Sequence, residues 1–259
     1  MEQLTGVIIT FNEEQKIVST LEALTQVVEE IIVVDSFSTD KTPELCARFP
    51  KVKFFQREFT NYGDQKQHAI DMASNDWVIS IDADEVLSDE LIQSIIETKD
   101  RLQLGCSYSF RRLDNFCGKW LYSGGFYPSY KERLINRTVS RMDGDVHEYF
   151  LHNIPIKTVK LKGYLYHYTI SSASEHLQLM EKYATLAAEM MYANGKKVWY
   201  PMIYIRPLFR FLKMYFIQFG FLDGVMGIVI AANTSYYVYL KYQKLHLMVR
   251  TSAKRKSSV

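Results

Sequence analysis

The sequence predicts an α/β fold: a mostly parallel sheet with helices on both faces, followed by a helical C-terminal region. Two observations carry this. Within the first hundred residues, short runs of Val and Ile such as GVIIT and IIVVD alternate with stretches of helical periodicity. Such runs suit strands apolar on both faces, as in a parallel sheet covered by helices on each side. The second observation is position. Thr10, Asn12, Asp35, Asp82 and Asp84 all fall where those strands end, and open parallel sheets bind ligands beyond the carboxyl ends of their strands.

Taken in order, residues 6–10 read as a buried strand. Asn12 is placed to cap the helix that follows, with Ile17, Val18, Leu21 and Leu24 on one face. Residues 31–35 form the second strand, and Ser38-Thr39-Asp40 opens a helix through Phe49. Residues 52–56 are the third strand, 62–74 a helix, and 77–81 a fourth strand that ends directly in Asp82. Ser88 caps a helix running to Lys99, with Glu90 and Leu91 in its first turn. From 105 to 170 the pattern becomes short strands and loops, with strand candidates at 107–112, 133–136 and 157–161. Gly124-Gly125 marks a turn or a close approach to a ligand. From Ala173 onward Leu177, Met180, Tyr183, Ala184 and Ala187 recur at helical spacing. After Pro201 comes a basic and aromatic stretch, IRPLFRFLKMYFIQFGFLDG.

At 259 residues, 47% hydrophobic and 23% charged, the chain is globular, with material for one large domain or one domain plus an appendage. The net charge of +2 conceals an asymmetry. Residues 1–100 hold 8 Lys or Arg against 20 Asp or Glu, whereas residues 196–259 hold 11 against 1. An acidic front and a basic rear imply two surfaces with different partners. The three cysteines match no CxxC pattern and read as reduced thiols of a cytosolic protein. The N-terminus has neither a basic n-region nor a long apolar run, so no signal peptide is expected.

The chemistry starts at Asp82-Ala83-Asp84-Glu85. Carboxylates at i and i+2 past a strand can reach one hard cation together, and Mg²⁺ or Mn²⁺ commonly bridges such oxygens to substrate phosphates. The alternative is a solvated acidic turn capping the next helix. Thr10, Asn12, Glu13 and Asp35 could hold a nucleoside by its base edge and ribose hydroxyls. Lys66, early in a helix after Tyr62-Gly63, reads either as a uracil or phosphate contact or as a solvated helix charge. Glu148, in Val146-His147-Glu148, is the candidate base for an acceptor hydroxyl, with Asp143 and Asp145 as rivals. His167, among the tyrosines at 164, 166 and 168, is either a hydrogen-bonded core histidine or a third metal ligand.

These motifs resemble family 2 glycosyltransferases. The carrying residues are VIITFNEE at 7–14, VVDSFSTDKT at 33–42, YGDQKQHA at 62–69 and WVISIDADE at 77–85. The later GGFYP at 124–128, Arg133-Leu134-Ile135, Val146-His147-Glu148, His167-Tyr168, FLDGVMG at 221–227 and residues 237–244 are similar to the lipopolysaccharide-core glucosyltransferase branch. The resemblance implies a GT-A fold. It implies a catalytic domain at 1–170, with a nucleotide-binding half at 1–100 and an acceptor and base half at 101–170. A helical region at 171–250 and a basic tail at 251–259 would follow. Thr10, Asn12, Glu13 and Asp35 would contact uridine, and Lys66 and Ala83 would join the donor site. Asp82 would contact ribose or metal, Asp84 would bind Mn²⁺ or Mg²⁺ directly, and His167 would complete that site. Gly124 and Gly125 would lie by the donor sugar, and Glu148 would be the base. The QxxRW acceptor motif of many members is not found; the basic residues Arg206, Arg210 and Lys213 are candidates to replace it.

The expected reaction is inverting transfer of a hexose, glucose first, from a UDP-sugar to a lipid-linked glycan such as lipopolysaccharide core. The alternatives are a sugar nucleotidyltransferase of related fold and a non-catalytic membrane-surface protein. A Gly-rich N-terminal loop would favour the former, and here Gly6 stands alone. No nucleic-acid partner is expected. The basic, aromatic C-terminal region suits the cytoplasmic face of a membrane. Residues 208–222 could lie flat on a bilayer, while 224–240 is short and polar for a spanning helix. Core-packing and oligomer-forming helices are the other reading of this region.

Overall fold

The computed structural model describes residues 2–144, 148–170 and 172–257. Asp145, Val146 and His147, in the segment expected to carry the base, lie outside the described residues. The elements run β1 (Leu4–Thr10), α1 (Ile17–Leu24), β2 (Glu30–Asp35), α2 (Thr42–Cys46), β3 (Val52–Gln56), α3 (Tyr62–Asp71), β4 (Trp77–Ser80), β5 (Glu85–Leu87) and α4 (Asp89–Thr98). Then come β6 (Cys106–Phe116), β7 (Lys119–Trp120), β8 (Ser129–Asn136), β9 (Ser140–Asp143), β10 (Tyr149–His152) and β11 (Lys157–Ile170). Helices α5 (Ala173–Ala193), α6 (Met202–Leu212) and α7 (Val225–Ser257) complete the chain. The main sheet has the order β3-β2-β1-β4-β8-β6-β11-β5, with β7 on β6. Strands β1 to β4 pair in parallel, as expected, and β8 joins β4 antiparallel. Two compact units result: residues 1–113 with 129–168, and residues 114–128 with 169–259.

In the first unit the Val/Ile runs are buried on both faces. On β2, Ile31 and Val33 join a core completed by Leu21 and Leu24 of α1 and Leu91 and Ile95 of α4. Ile32 and Val34 point the other way, to Ala69 and Ile70 of α3. Ser88 caps α4 as predicted, its hydroxyl accepting from Leu91 N at 3.2 Å. That hydroxyl also accepts from Tyr164 N at 2.9 Å, fastening α4 to β11.

Two helix starts differ from expectation. Asn12 caps nothing: α1 begins at Ile17, and Asn12 stands at φ +55°, a left-handed conformation that Asn tolerates well. Its carboxamide accepts from Thr39 N at 2.8 Å and its N–H donates to Ser38 Oγ at 2.8 Å, tying the β1–α1 loop to the β2–α2 loop. The helix expected from Ser38 to Phe49 is only Thr42–Cys46. Asp40 is held in the loop, its carboxylate accepting from Thr42 N at 2.9 Å and Glu14 N at 3.0 Å. This is the local competition by which Asp disfavours helix interiors.

In the second unit α5 packs on α7, with Ala184 and Ala188 fully buried. Lys244 Nζ donates to Thr185 Oγ1 at 2.6 Å. Helix α6 turns Ile203 and Pro207 inward, and Ser235 Oγ of α7 donates to Pro207 O at 2.7 Å. Helix α7 is 33 residues long, taking in all of the 224–240 stretch except Gly224, and residues 251–257 expected as tail. Among the described residues no helix is long and apolar enough to cross a membrane.

Candidate active site

The chain leaves β4 at Ser80 and enters β5 at Glu85, so Asp82-Ala83-Asp84 is a short loop pinned at both ends. Ala83 is buried, and its carbonyl accepts from Thr20 Oγ1 of α1 at 2.8 Å. Strand β5 pairs antiparallel with β11, placing His167 opposite Glu85. Tyr168 N donates to Asp84 O at 3.0 Å. The pairing sets His167 Nε2 at 3.6 Å from Asp84 Oδ1, with Lys16 Nζ 3.8 Å from Asp84 Oδ2. Lys16 also stands 3.7 Å from Glu13 Oε2. Lys16 thus stands between Glu13 and Asp84, and the β5–β11 pairing brings His167 to Asp84 from 83 positions away.

Beside them lies a buried charge network. Lys66 of α3, only 2% exposed, sets its ammonium 2.7 Å from Asp82 Oδ1 and 2.5 Å from Glu148 Oε1. Arg133 of β8 donates through Nη2 to Asp82 Oδ2 at 3.2 Å. It also grips Glu85 in the two-pronged geometry that suits a carboxylate, Nε to Oε2 at 2.9 Å and Nη2 to Oε1 at 2.8 Å. The Asp82 N–H donates to Glu85 Oε2 at 3.1 Å. Lys66 is thus no solvated helix charge but the counter-ion of two carboxylates.

The surroundings divide the acids into two kinds. Burial would raise Asp82, but Lys66 and Arg133 overcome it and hold the carboxyl well below its usual range. Burial would likewise raise Glu148, and Lys66 brings it below the ordinary value. Burial pulls the Lys66 ammonium down, yet Asp82 and Glu148, against the opposing Arg133, leave it above its ordinary value. Asp84 and Glu13 go the other way. Burial raises Asp84, and His167 and Lys16 offset only part of that, with Asp82 and Glu85 adding repulsion. Burial raises Glu13 beyond what Lys16 restores. Lys16 and His167 stand beyond hydrogen-bond length from Asp84.

That contrast tests the fit of a metal. A carboxylate raised by burial and an imidazole nitrogen beside it form a donor pair that suits a divalent cation. Asp82 already has two cationic partners, so Asp84 and His167 suit the cation better. Among the described residues no three His, Cys, Asp or Glu converge into a ready-made cluster. Two protein ligands are in keeping with Mg²⁺ and similar ions, which keep waters and substrate phosphate oxygens.

The strand ends offer the nucleoside side. Thr10 is buried, and its hydroxyl has no hydrogen-bond partner among the described residues, a group that calls for one. Asp35, fully buried, accepts from Ser38 N at 2.8 Å and Gln56 Nε2 at 3.2 Å, and from the Ser38 hydroxyl. Asp143 is exposed and accepts from Gly144 N at 2.8 Å. Gly124 and Gly125 belong to the second unit. Both have left-handed φ, +66° and +85°, and a Cβ on Gly125 would stand 2.7 Å from the Gln218 side chain. There they serve a turn closed by Gly124 N donating to Gln218 O at 2.8 Å.

Sequence reasoning gave no role to Lys16, Glu85 or Arg133. The available signal for Arg133 was a cation opening the otherwise apolar run RLI.

The family model for Glycosyl transferase family 2 matches residues 5–156. An uncharacterised glycosyltransferase of Rickettsia typhi is 30% identical over 265 residues, covering 96% of this chain and 90% of the relative. The lipopolysaccharide core biosynthesis glycosyltransferase LpsC of Rhizobium meliloti is 29% identical over 259 residues, covering 94% of this chain and 92% of the relative. Among solved structures, residues 1–349 of S. aureus TarS align at a TM-score of 0.46 with 14% identity, covering 96% of this chain and 92% of that one.

Proposed function

The chain belongs to glycosyl transferase family 2, and on that premise we propose that it moves a hexose, glucose first, from a UDP-sugar to a lipid-linked glycan. The observation that carries this reading is the joining of Asp84 and His167 by the β5–β11 pairing, next to Glu148 held by Lys66. Thr10, Asn12, Glu13 and Asp35 take the uridine at the ends of β1 and β2, with Ala83 and Asp82 beside it. Asp84 and His167 hold Mn²⁺ or Mg²⁺. When bound, the cation offsets the charge that develops on the departing diphosphate.

Glu148 accepts the proton of the acceptor hydroxyl, whose oxygen forms the new bond to the anomeric carbon as the bond to UDP breaks. One displacement inverts that centre. Lys66 keeps Glu148 ionised and ready to accept. The similarity to LpsC supports lipopolysaccharide core as the acceptor class, and with it a place at the inner face of the cytoplasmic membrane. Family membership leaves the nucleotidyltransferase and non-catalytic alternatives without support.

The test is calorimetric titration with UDP, with and without Mn²⁺, followed by a UDP-release assay over a panel of UDP-hexoses. Mn²⁺-dependent UDP binding, and release from one hexose above the others, are expected. A folded chain that neither binds UDP nor releases it from any donor overturns the proposal.

A further inference from the structure

The outward face of α6 is apolar where a solvated helix would be polar. At 3.6 residues per turn, Tyr204, Ile205, Leu208, Phe209 and Leu212 fall within about 140° of the helix circumference. All five are exposed, Leu208 and Phe209 at 60% each. The stripe continues past the helix. Phe216, Ile217 and Phe219 are exposed, and Leu222 reaches 69%. Scattered exposed apolar residues are ordinary, but a contiguous run on one helix face and its following turn marks an interaction surface.

The turn is held in place. Gly220 and Gly227 meet closely, since a Cβ on Gly227 would stand 1.8 Å from Gly220 O. Asp223 accepts from Tyr122 N at 3.1 Å and from Ser123 N and Oγ at 3.0 and 2.5 Å. Lys119 Nζ donates to Asp223 O at 2.7 Å. Phe219 is kept at φ +57°, a strained conformation for a bulky residue. These contacts present the phenylalanine and Leu222 outward.

Charge selects the occupant. Asp223 is the one acid among residues 196–259, and it is buried. Lys196, Lys197 and Arg206 are exposed, and Arg210 and Lys213 are partly so. The region therefore offers an apolar, aromatic stripe bordered by cations, with no exposed carboxylate. A second copy would set like charges against each other. No described helix can span a bilayer, so the stripe suits shallow insertion at the headgroup level.

We propose that the second unit docks on an anionic phospholipid bilayer through the outward face of α6 and the turn carrying Phe219 and Leu222. The surface lies wholly within this unit, and it rests on the proposed function only for its purpose, meeting a lipid-linked acceptor.

The full chain is tested by flotation with phosphatidylcholine vesicles, with and without phosphatidylglycerol. Binding to the anionic vesicles, weakened by salt, is expected. The double variant Phe209→Asp/Leu222→Asp is expected to bind at least about tenfold more weakly. The variant Arg210→Gln/Lys213→Gln should lose about fivefold per charge. Both should bind UDP as the wild type does, which also reports folding. No binding, equal binding to neutral vesicles, or wild-type binding by the first variant overturns the docking. So does a dimer in solution that this variant splits while vesicles bind neither form. Vesicle binding without UDP binding would defeat the transferase reading alone, and UDP binding without vesicle binding the docking alone.

Discussion

Arg133 holds Glu85 by two hydrogen bonds, of 2.9 and 2.8 Å, where the Glu85 side chain has no solvent exposure. Removing Arg133 strips the buried Glu85 of both charged hydrogen bonds and leaves Arg112 Nη1, at 4.0 Å, as a more distant cation. Arg133→Met should therefore cost on the order of 3–5 kcal/mol of stability. Glu85→Leu combined with Arg133→Met should cost less than the two single changes added together. Denaturant unfolding of the three variants checks this.

Lys66 joins Asp82 to Glu148, and its loss should appear in the pH dependence of the rate. Glu148 sits below its ordinary value because Lys66 outweighs burial. In the wild type the carboxylate therefore stays ionised until the pH falls below its usual range. In Lys66→Met burial acts unopposed by that cation, so the acid limb of the kcat/KM profile should move to higher pH. An unmoved limb would separate Glu148 from the proton transfer.

Gly63 lies directly against Gly144. A Cβ there would stand 2.1 Å from the Gly144 carbonyl oxygen. Gly63→Ala must displace that backbone, four residues before the proposed base. A fall in kcat of about tenfold or more, with UDP affinity changed little, is expected. Steady-state kinetics alongside UDP titration distinguish this from general unfolding.

Glu30 links stability to pH away from the site. Burial would raise its carboxyl, but Lys53, the Ser74 backbone and hydroxyl, and Thr5 bring it down from 4.5 to about 2. A depressed folded-state value stabilises above the unfolded value and is lost as pH falls toward the folded one. Glu30→Gln should thus be destabilised at pH 7, with the gap to wild type narrowing between pH 4.5 and about 2. Melting temperatures across that range check the sign.

The parallel half of the fold was legible because its signals are local. Runs such as IIVVD bury both faces, and Ser88 announces the helix that starts at Asp89 by accepting from Leu91 N. The difference at Asn12 is also local: the same carboxamide can cap a helix or lock a loop, and Thr39, 27 residues on, took it. The site was half legible. Asp82 and Asp84 stood out by spacing. The three-residue β5 is too short for periodicity to reveal, yet its pairing brings His167 to Asp84 across 83 residues. Arg133 was hidden for the same reason, since only the β4–β8 register carries it to Asp82 and Glu85. Buried charge networks leave no local pattern, because each partner reads alone as a solvated residue.

The metal assignment has its own signature. His167→Ala should raise the Mn²⁺ concentration needed for half-maximal rate by about tenfold or more. Chelation should silence the wild type, and added Mn²⁺ should restore it.

UDP release from UDP-glucose with Mn²⁺ and a lipopolysaccharide-core acceptor, measured on the wild type, Asp84→Ala and Glu148→Gln, tests the central claim most directly. Acceptor-dependent release by the wild type is expected, with none from Asp84→Ala. Glu148→Gln should bind UDP with near-wild-type affinity and transfer at least about a hundredfold more slowly. Undiminished turnover in both variants would contradict the assignment.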